Sequence, residues 1–186
     1  LPGSPQSVIA LCVPAPPGGT DEAVTGRVIM RALSMMGGRL WRNLRERPPY
    51  AYRVGGTLLS YARAGAAVVY ATSAPGGERE AADGLLRELT RVCEEGLEPE
   101  ELERTKSHLA GSLDISLVRS AARSSSYAMA EVMGAGYEHV ETLAERVRAV
   151  TSGEVLRVAR EHMSPSIGSA EVILKGGPPS GRERSS

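Results

Sequence analysis

The stretch NLRERPPYAYRV, residues 43–54, changes character in its middle. Its first half carries leucine and charge in a helical spacing. Pro48 and Pro49 then follow one another, and paired prolines end a helix because they lack an N–H and clash with the preceding turn. The second half, Ala51 to Val54, reads as the start of a strand. A helix that hands over to a strand through a short turn is the unit from which the rest of the chain is read. It also leaves Arg45 and Tyr52 seven residues apart on opposite sides of the break.

Working downstream, AYRVGGTLLSYA and AAVVYATSA are joined by RAG and form an antiparallel strand pair with a turn near Ala64–Gly65. The chain then turns helical. Ala82, Leu85, Leu86, Leu89 and Val92 recur at helical spacing, and Gly96 is a natural stop. Pro99 opens a helix with Leu102, Leu109, Leu113 and Leu117 on one stripe. RSAARSSSYAMAEVMGAG is a helix of small residues whose surface lets a neighbouring backbone come close. EHVETLAERVRAV follows, and Thr151 with Glu154 forms a capping box for GEVLRVAREHM. Pro165 ends that helix, and SAEVILKG is a last strand.

Upstream, SVIALCVP (residues 7–14) is a continuous apolar run, read as a strand covered on both faces or at the sheet centre. Thr20 caps a helix that runs to about Leu33, and MMGGRLWRNLRER is a second, glycine-opened helical segment. Strands and helices do not alternate, and several helices run together. The predicted class is therefore α+β, with helices layered on one face of a mixed or antiparallel sheet. The expected organisation is one half-domain over residues 1–176 and a disordered tail over 177–186.

Composition narrows the function. Hydrophobic residues make up 41% of 186, enough for a core, but there is no Phe and only one Trp, so Leu, Val, Ala and Met must fill it. Twenty-two basic and 22 acidic residues are interleaved. That pattern offers no electrostatic footprint for nucleic acid or an anionic membrane, and no apolar run approaches the roughly 18 residues that span a bilayer. The opening LPGSPQ has no signal-peptide pattern and reads as the start of an excised segment or a mature form, so the compartment, cytoplasm or periplasm, stays open. Cys12 and Cys93 are far apart in apolar runs and read as two buried free thiols.

Local chemistry is sparse. His108, His139 and His162 each stand alone in a helical segment, outside the spacing that turns two imidazoles toward one zinc. His139 and Glu141 form an H-x-E without the Cys-x-x-Cys half of a deaminase site. PPGGTDEA precedes a helix but lacks the lysine and glycine spacing of a phosphate loop, and Asp21 and Glu22 would repel phosphate there. Ser124, Ser125 and Ser126 have no nucleophile elbow around them and read as helix packing.

A resemblance supplies what the spacing does not. GGRLWRNLRERPPYAYRV, residues 37–54, resembles the pattern of a Gly turn, R-L, L-R-E, a short spacer and A-Y-x-V in the insulinase, pitrilysin and mitochondrial processing peptidase family of inverzincin zinc metallopeptidases. The matching residues are Gly37, Gly38, Arg39, Leu40, Leu44, Arg45, Glu46, Ala51, Tyr52 and Val54. Gly96, Glu101, Leu102 and Lys106 are similar to a second family segment. Val150, Thr151, Val155, Val158, Ala159 and Pro165 are similar to a third, and EVILKG to the closing strand. The likeness runs over about residues 6–176.

The family pairs two related halves that close on a peptide like a clamshell, and only one half carries zinc through H-x-x-E-H. This chain resembles the other, C-terminal half. The resemblance implies no metal in this chain and zinc in the partner half. It also implies a peptide substrate and an H-x-x-E-H-bearing partner, from the same gene or a separate subunit, with a homodimer as a further arrangement. The chain alone is then expected to be inactive. By motif, Arg45 and Tyr52 are the residues that reach across the cleft to substrate and to the developing oxyanion. The spacer departs from the family pattern at Pro48, Pro49 and Tyr50, and a register shifted by two would make Tyr50 the cleft residue. An inactive scaffold subunit of the same family is the alternative.

Overall fold

The computed structural model describes residues 5–46 and 51–177, so Pro48, Pro49, Tyr50 and nearly all of the proposed tail lie outside the described residues. Four strands form one sheet: β1 (Ser7–Ala15), β2 (Arg53–Ser60), β3 (Gly65–Ser73) and β4 (Ala170–Leu174), in the order β2-β3-β1-β4. Every pairing is antiparallel, which resolves the mixed-or-antiparallel expectation. The helices are α1 (Asp21–Ser34), α2 (Glu78–Glu95), α3 (Pro99–Ser116), α4 (Ser120–Val132), α5 (Glu138–Glu141), α6 (Leu143–Ala149) and α7 (Ser152–His162). The predicted EHVETLAERVRAV helix is thus broken at Thr142 into α5 and α6.

Register explains why the helices lie on one side. Side chains alternate across a strand, and β1 buries Ile9, Leu11 and Val13 opposite Ala71, Val69 and Ala67 of β3. That face receives α2, while α1 packs against β2, α3 and α7. The alternate residues Val8, Ala10 and Cys12 are only half-buried. So β1 is central in the sheet but covered on one face, which corrects the two-faced reading. A continuous apolar run marks a central strand here because its outward row is small and packed edge to edge with Val68 and Tyr70. Tyr70 lies across Gly55, its register partner in β2, where a Cβ would meet the ring at 2.5 Å. Cys12 belongs to this outward row and is not fully buried, whereas Cys93 is.

Caps behave as the sequence implies. Thr20 accepts from the Ala23 N–H, and Thr151 and Glu154 close a reciprocal capping box. Two helix readings change. Leu86 faces solvent, and α2 instead buries Leu85, Glu88, Leu89 and Cys93. In α4 only Ala130 is buried, so the small residues do not form a packing face. The close approach comes past its end, where a Cβ on Gly18 would stand 2.7 Å from the Met133 methyl.

One polar contact crosses the core. Arg39 and Glu101 are both buried, at 6% exposure each. Arg39 Nε donates to Oε1 at 3.1 Å and Oε2 at 3.0 Å, and Nη2 donates to Oε2 at 2.8 Å and to the Gly96 carbonyl at 2.9 Å. Gly96 holds φ +74°, open to glycine, and this conformation stops α2 while its carbonyl serves Arg39.

Removing one partner of a buried pair leaves an uncompensated charge and costs about 3–5 kcal/mol. Glu101→Ala is expected to lose about that much in urea unfolding, and Glu101→Leu combined with Arg39→Met to recover a large part of it. Thiol labelling gives a second check. Burial pushes the Cys93 thiol up from its ordinary value, and its sulfur faces the Ala159 carbonyl at 3.3 Å. In the folded chain Cys12 is expected to react with an aromatic disulfide reagent and Cys93 only on unfolding.

Candidate functional site

The site is rooted where α1 ends. Gly38 N–H returns to the Met35 carbonyl at 2.8 Å, closing a turn, and the chain re-enters a helix at Arg39. From Trp41 to Glu46 that helix is wound as a π-helix, which corrects the ordinary helical expectation. π-Helical turns are rare and frequent at functional sites. Three attachments hold this one. Leu40 and Leu44 are fully buried, with Leu44 against the α2 backbone at Gly84. Asn43 donates to the buried Glu88 at 2.8 Å. Arg39 is clamped on Glu101.

With Leu44 turned inward, its neighbour Arg45 is exposed. The Arg45 guanidinium carbon sits 3.8 Å above the centroid of the Trp41 ring, a cation–π stack that gives a long side chain one preferred course. The Leu44 carbonyl accepts from Ala51 N–H at 3.0 Å, and Tyr52 N–H donates to the Thr72 carbonyl at 2.7 Å, joining the chain to β3. The 44–51 hydrogen bond ties the residue before Arg45 to the residue before Tyr52. The two candidates therefore leave the base of one closed loop. Tyr52 is 53% exposed. Both groups are hydrogen-bond donors presented to solvent, one permanently charged. Tyr50, the alternative cleft residue, lies outside the described residues.

The other candidates stay apart. His108 meets Arg31 at 3.2 Å on α3, His139 lies on α5 against Arg146, and His162 ends α7. Among the described residues no group of three or more His, Cys, Asp or Glu could hold a metal, so the donor set of a zinc site is lacking here. Ser124 and Ser125 are exposed and Ser126 bonds back to the Ala122 carbonyl. Among the described residues no helix is long and apolar enough to cross a membrane.

Sequence reasoning missed the Arg39–Glu101 pair, although both residues fall in the quoted motifs. The available signal was Glu101 beside Leu102, inside the stripe that α3 buries.

Comparison with known proteins bears on the fold. The fold matches the inactive peptidase domain of a proposed zinc protease from Bordetella parapertussis with a TM-score of 0.81 at 20% identity, over 94% of this chain and 95% of that one. It matches a protease from Helicobacter pylori with a TM-score of 0.78 at 15% identity, over 92% of this chain but 41% of that one. A chain of complex III2 from Candida albicans matches with a TM-score of 0.79 at 14% identity, over 93% of this chain and 43% of that one. The chain thus spans less than half of those last two. No curated protein matches the sequence. The family model described as the peptidase M16 inactive domain matches residues 1–109, more than half of the chain. The chain belongs to the peptidase M16 inactive-domain family.

Proposed function

We propose that this chain is the non-metal half of a two-half zinc peptidase and that Arg45 and Tyr52 are its contribution to a shared site. The observation that carries the reading is their joint presentation: two exposed donors from one closed loop, in a family of inactive peptidase domains. The partner would be a homologous half bearing H-x-x-E-H, from the same gene or a separate subunit, and a homodimer of longer chains satisfies the same need. The substrate class is an unstructured peptide. Zinc, held by that partner, supplies the activated water for amide hydrolysis.

What this chain adds is electrostatic. As water adds to the scissile carbonyl, negative charge grows on the carbonyl oxygen. The Arg45 guanidinium and the Tyr52 hydroxyl, aimed at that oxygen, donate more strongly as the charge develops. Arg45 needs no protonation step, because guanidinium stays charged throughout the working pH range. The Trp41 stack and the buried Arg39 clamp limit how far the Arg45 side chain must be ordered when substrate arrives, which favours a pre-set donor over a searching one.

A second reading rests on the spacer, where Pro48, Pro49 and Tyr50 replace the family pattern. A scaffold subunit does not need the donors in register, and the likeness to a complex III2 chain keeps company with that role.

The two readings separate on a quenched peptide. The chain alone is expected to be silent, and cleavage is expected when it is mixed with zinc and the H-x-x-E-H half from its own gene or operon. Arg45→Ala and Tyr52→Phe should each lower kcat/KM on the order of 100-fold. Activity of the mixture unchanged in both variants would remove the oxyanion role, and silence of the mixture would favour the scaffold. Trp41 is the only tryptophan. Its emission should shift in Arg45→Ala and stay put in Tyr52→Phe, which ties the loss to the guanidinium and not to a collapsed loop.

A further inference from the structure

The sheet has two edges, and they are built differently. β4 is five residues long and carries Glu171, which pairs with Leu11 and so stands in the same row as Ile173, the residue packed on the core. A short strand with an inward-placed charge is a blunted edge. β2 is eight residues long, and from Val54 to Ser60 it has no charge and no proline. Among the described residues no strand pairs with its outer side.

Register decides which backbone groups are open there. Tyr61 N–H donates to the Ala64 carbonyl at 2.8 Å, at the end of the ladder that pairs Leu59 with Ala66 and Thr57 with Val68. In an antiparallel ladder alternate residues turn their N–H and C=O to one neighbour. Thr57 and Leu59 therefore bond β3, and Gly56 and Leu58 present theirs to the outer side. Their side-chain positions point to α1: a Cβ on Gly56 would stand 2.7 Å from the Met30 methyl, and Leu58 lies 3.5 Å from the Cβ position of Gly26.

A groove of about 750 Å³ runs along this edge, from Gly56 to Ala62. That is the size of a ligand site. Across from β2 its wall is the end of α4, with Met129, Val132 and Met133. Met129 and Val132 are 59% and 83% exposed. From α1 come Met30, Arg27 and Arg31, and no acidic side chain lines the groove.

We propose that β2 takes up an extended, acidic segment of a partner protein as a fifth strand, its apolar side chains over the groove methionines and an acidic one toward Arg27 and Arg31. A row of unpaired N–H and C=O groups is matched by another extended backbone, and the groove beside it receives alternate side chains. Methionines suit that part because an unbranched thioether adapts to different shapes. The charge favours an acidic strand over a second copy of this chain, which would bring the same arginines to the same groove. The site does not rest on the peptidase reading.

The test is amide hydrogen exchange of the whole chain, read by NMR, with and without a peptide of alternating valine and glutamate. In the free chain the Thr57 and Leu59 amides are expected to be protected and those of Gly56 and Leu58 to exchange fast. The peptide should protect Gly56 and Leu58 saturably. N-methylating it at every second residue, in the two alternative sets, should abolish binding in one set and spare it in the other, because a strand bonds one neighbour through alternate residues. The lysine counterpart should bind roughly fivefold more weakly at low salt, and Arg27→Glu should remove that preference, with thermal melts confirming that the variant is folded. Fast exchange of Gly56 and Leu58 at the highest peptide concentration, equal binding by the two methylated sets, or equal affinity for the glutamate and lysine peptides would overturn the proposal. So would protection of the two amides in the free chain that grows with protein concentration, since the edge would then belong to a second copy.

Discussion

The buried Arg39–Glu101 pair is the constraint on which the presentation of the candidate site depends. Arg39 begins the helical segment that winds into the π-helix at Trp41, Glu101 sits in the first turn of α3, and the Gly96 carbonyl lies just past the end of α2. One guanidinium thus fixes three elements against each other. Two charges taken out of water recover their desolvation only with full hydrogen bonding. The pair is nearly complete: of its own polar atoms, Arg39 Nη1 is the one left buried and unpartnered. An apolar replacement could fill the same volume, but it would not fix direction, and direction is what the exposed end of the segment uses. From the clamp the order passes through Leu40 and Leu44 to Arg45, whose guanidinium is then held over Trp41.

The remaining architecture separates a firm layer from a loose one. The sheet, α1, α2, α6 and α7 share one core with Ile9, Leu33, Leu85, Val147 and Val158 at its centre. The α4 region and the outward face of the sheet keep apolar groups near water, among them Met129, Val132, Val172 and Leu174. Elements with few buried contacts open at low free energy, so ligand and partner surfaces are drawn from them. The Arg45 segment lies between these extremes, with Leu40 and Leu44 buried at its root and Arg45 exposed.

Local rules carried much of the fold because several signals agreed. Thr20, Thr151 with Glu154, Gly96 and Pro99 mark helix ends through hydrogen bonds made within a few residues, and such bonds are visible in any window of sequence. The strand pair around Ala64 was legible for the same reason. The failures are long-range. Which face of β1 is covered depends on where α2 returns, 60 and more residues later in the chain. Leu86 fits the helical stripe by type, yet the position of the sheet turns it outward.

The sequence by itself determined the helix caps, the family likeness and the choice of Arg45 and Tyr52 as candidates, since each rests on neighbours along the chain or on an ordered set of motifs. Only the tertiary structure decided that Arg39 meets Glu101 across 62 positions, that the motif helix is wound as a π-helix, and that the Leu44–Ala51 hydrogen bond brings the two candidates to one loop. The physical reason is the same in each case. A charge is assigned its partner, or left without one, only when packing decides which distant elements share a low-dielectric space.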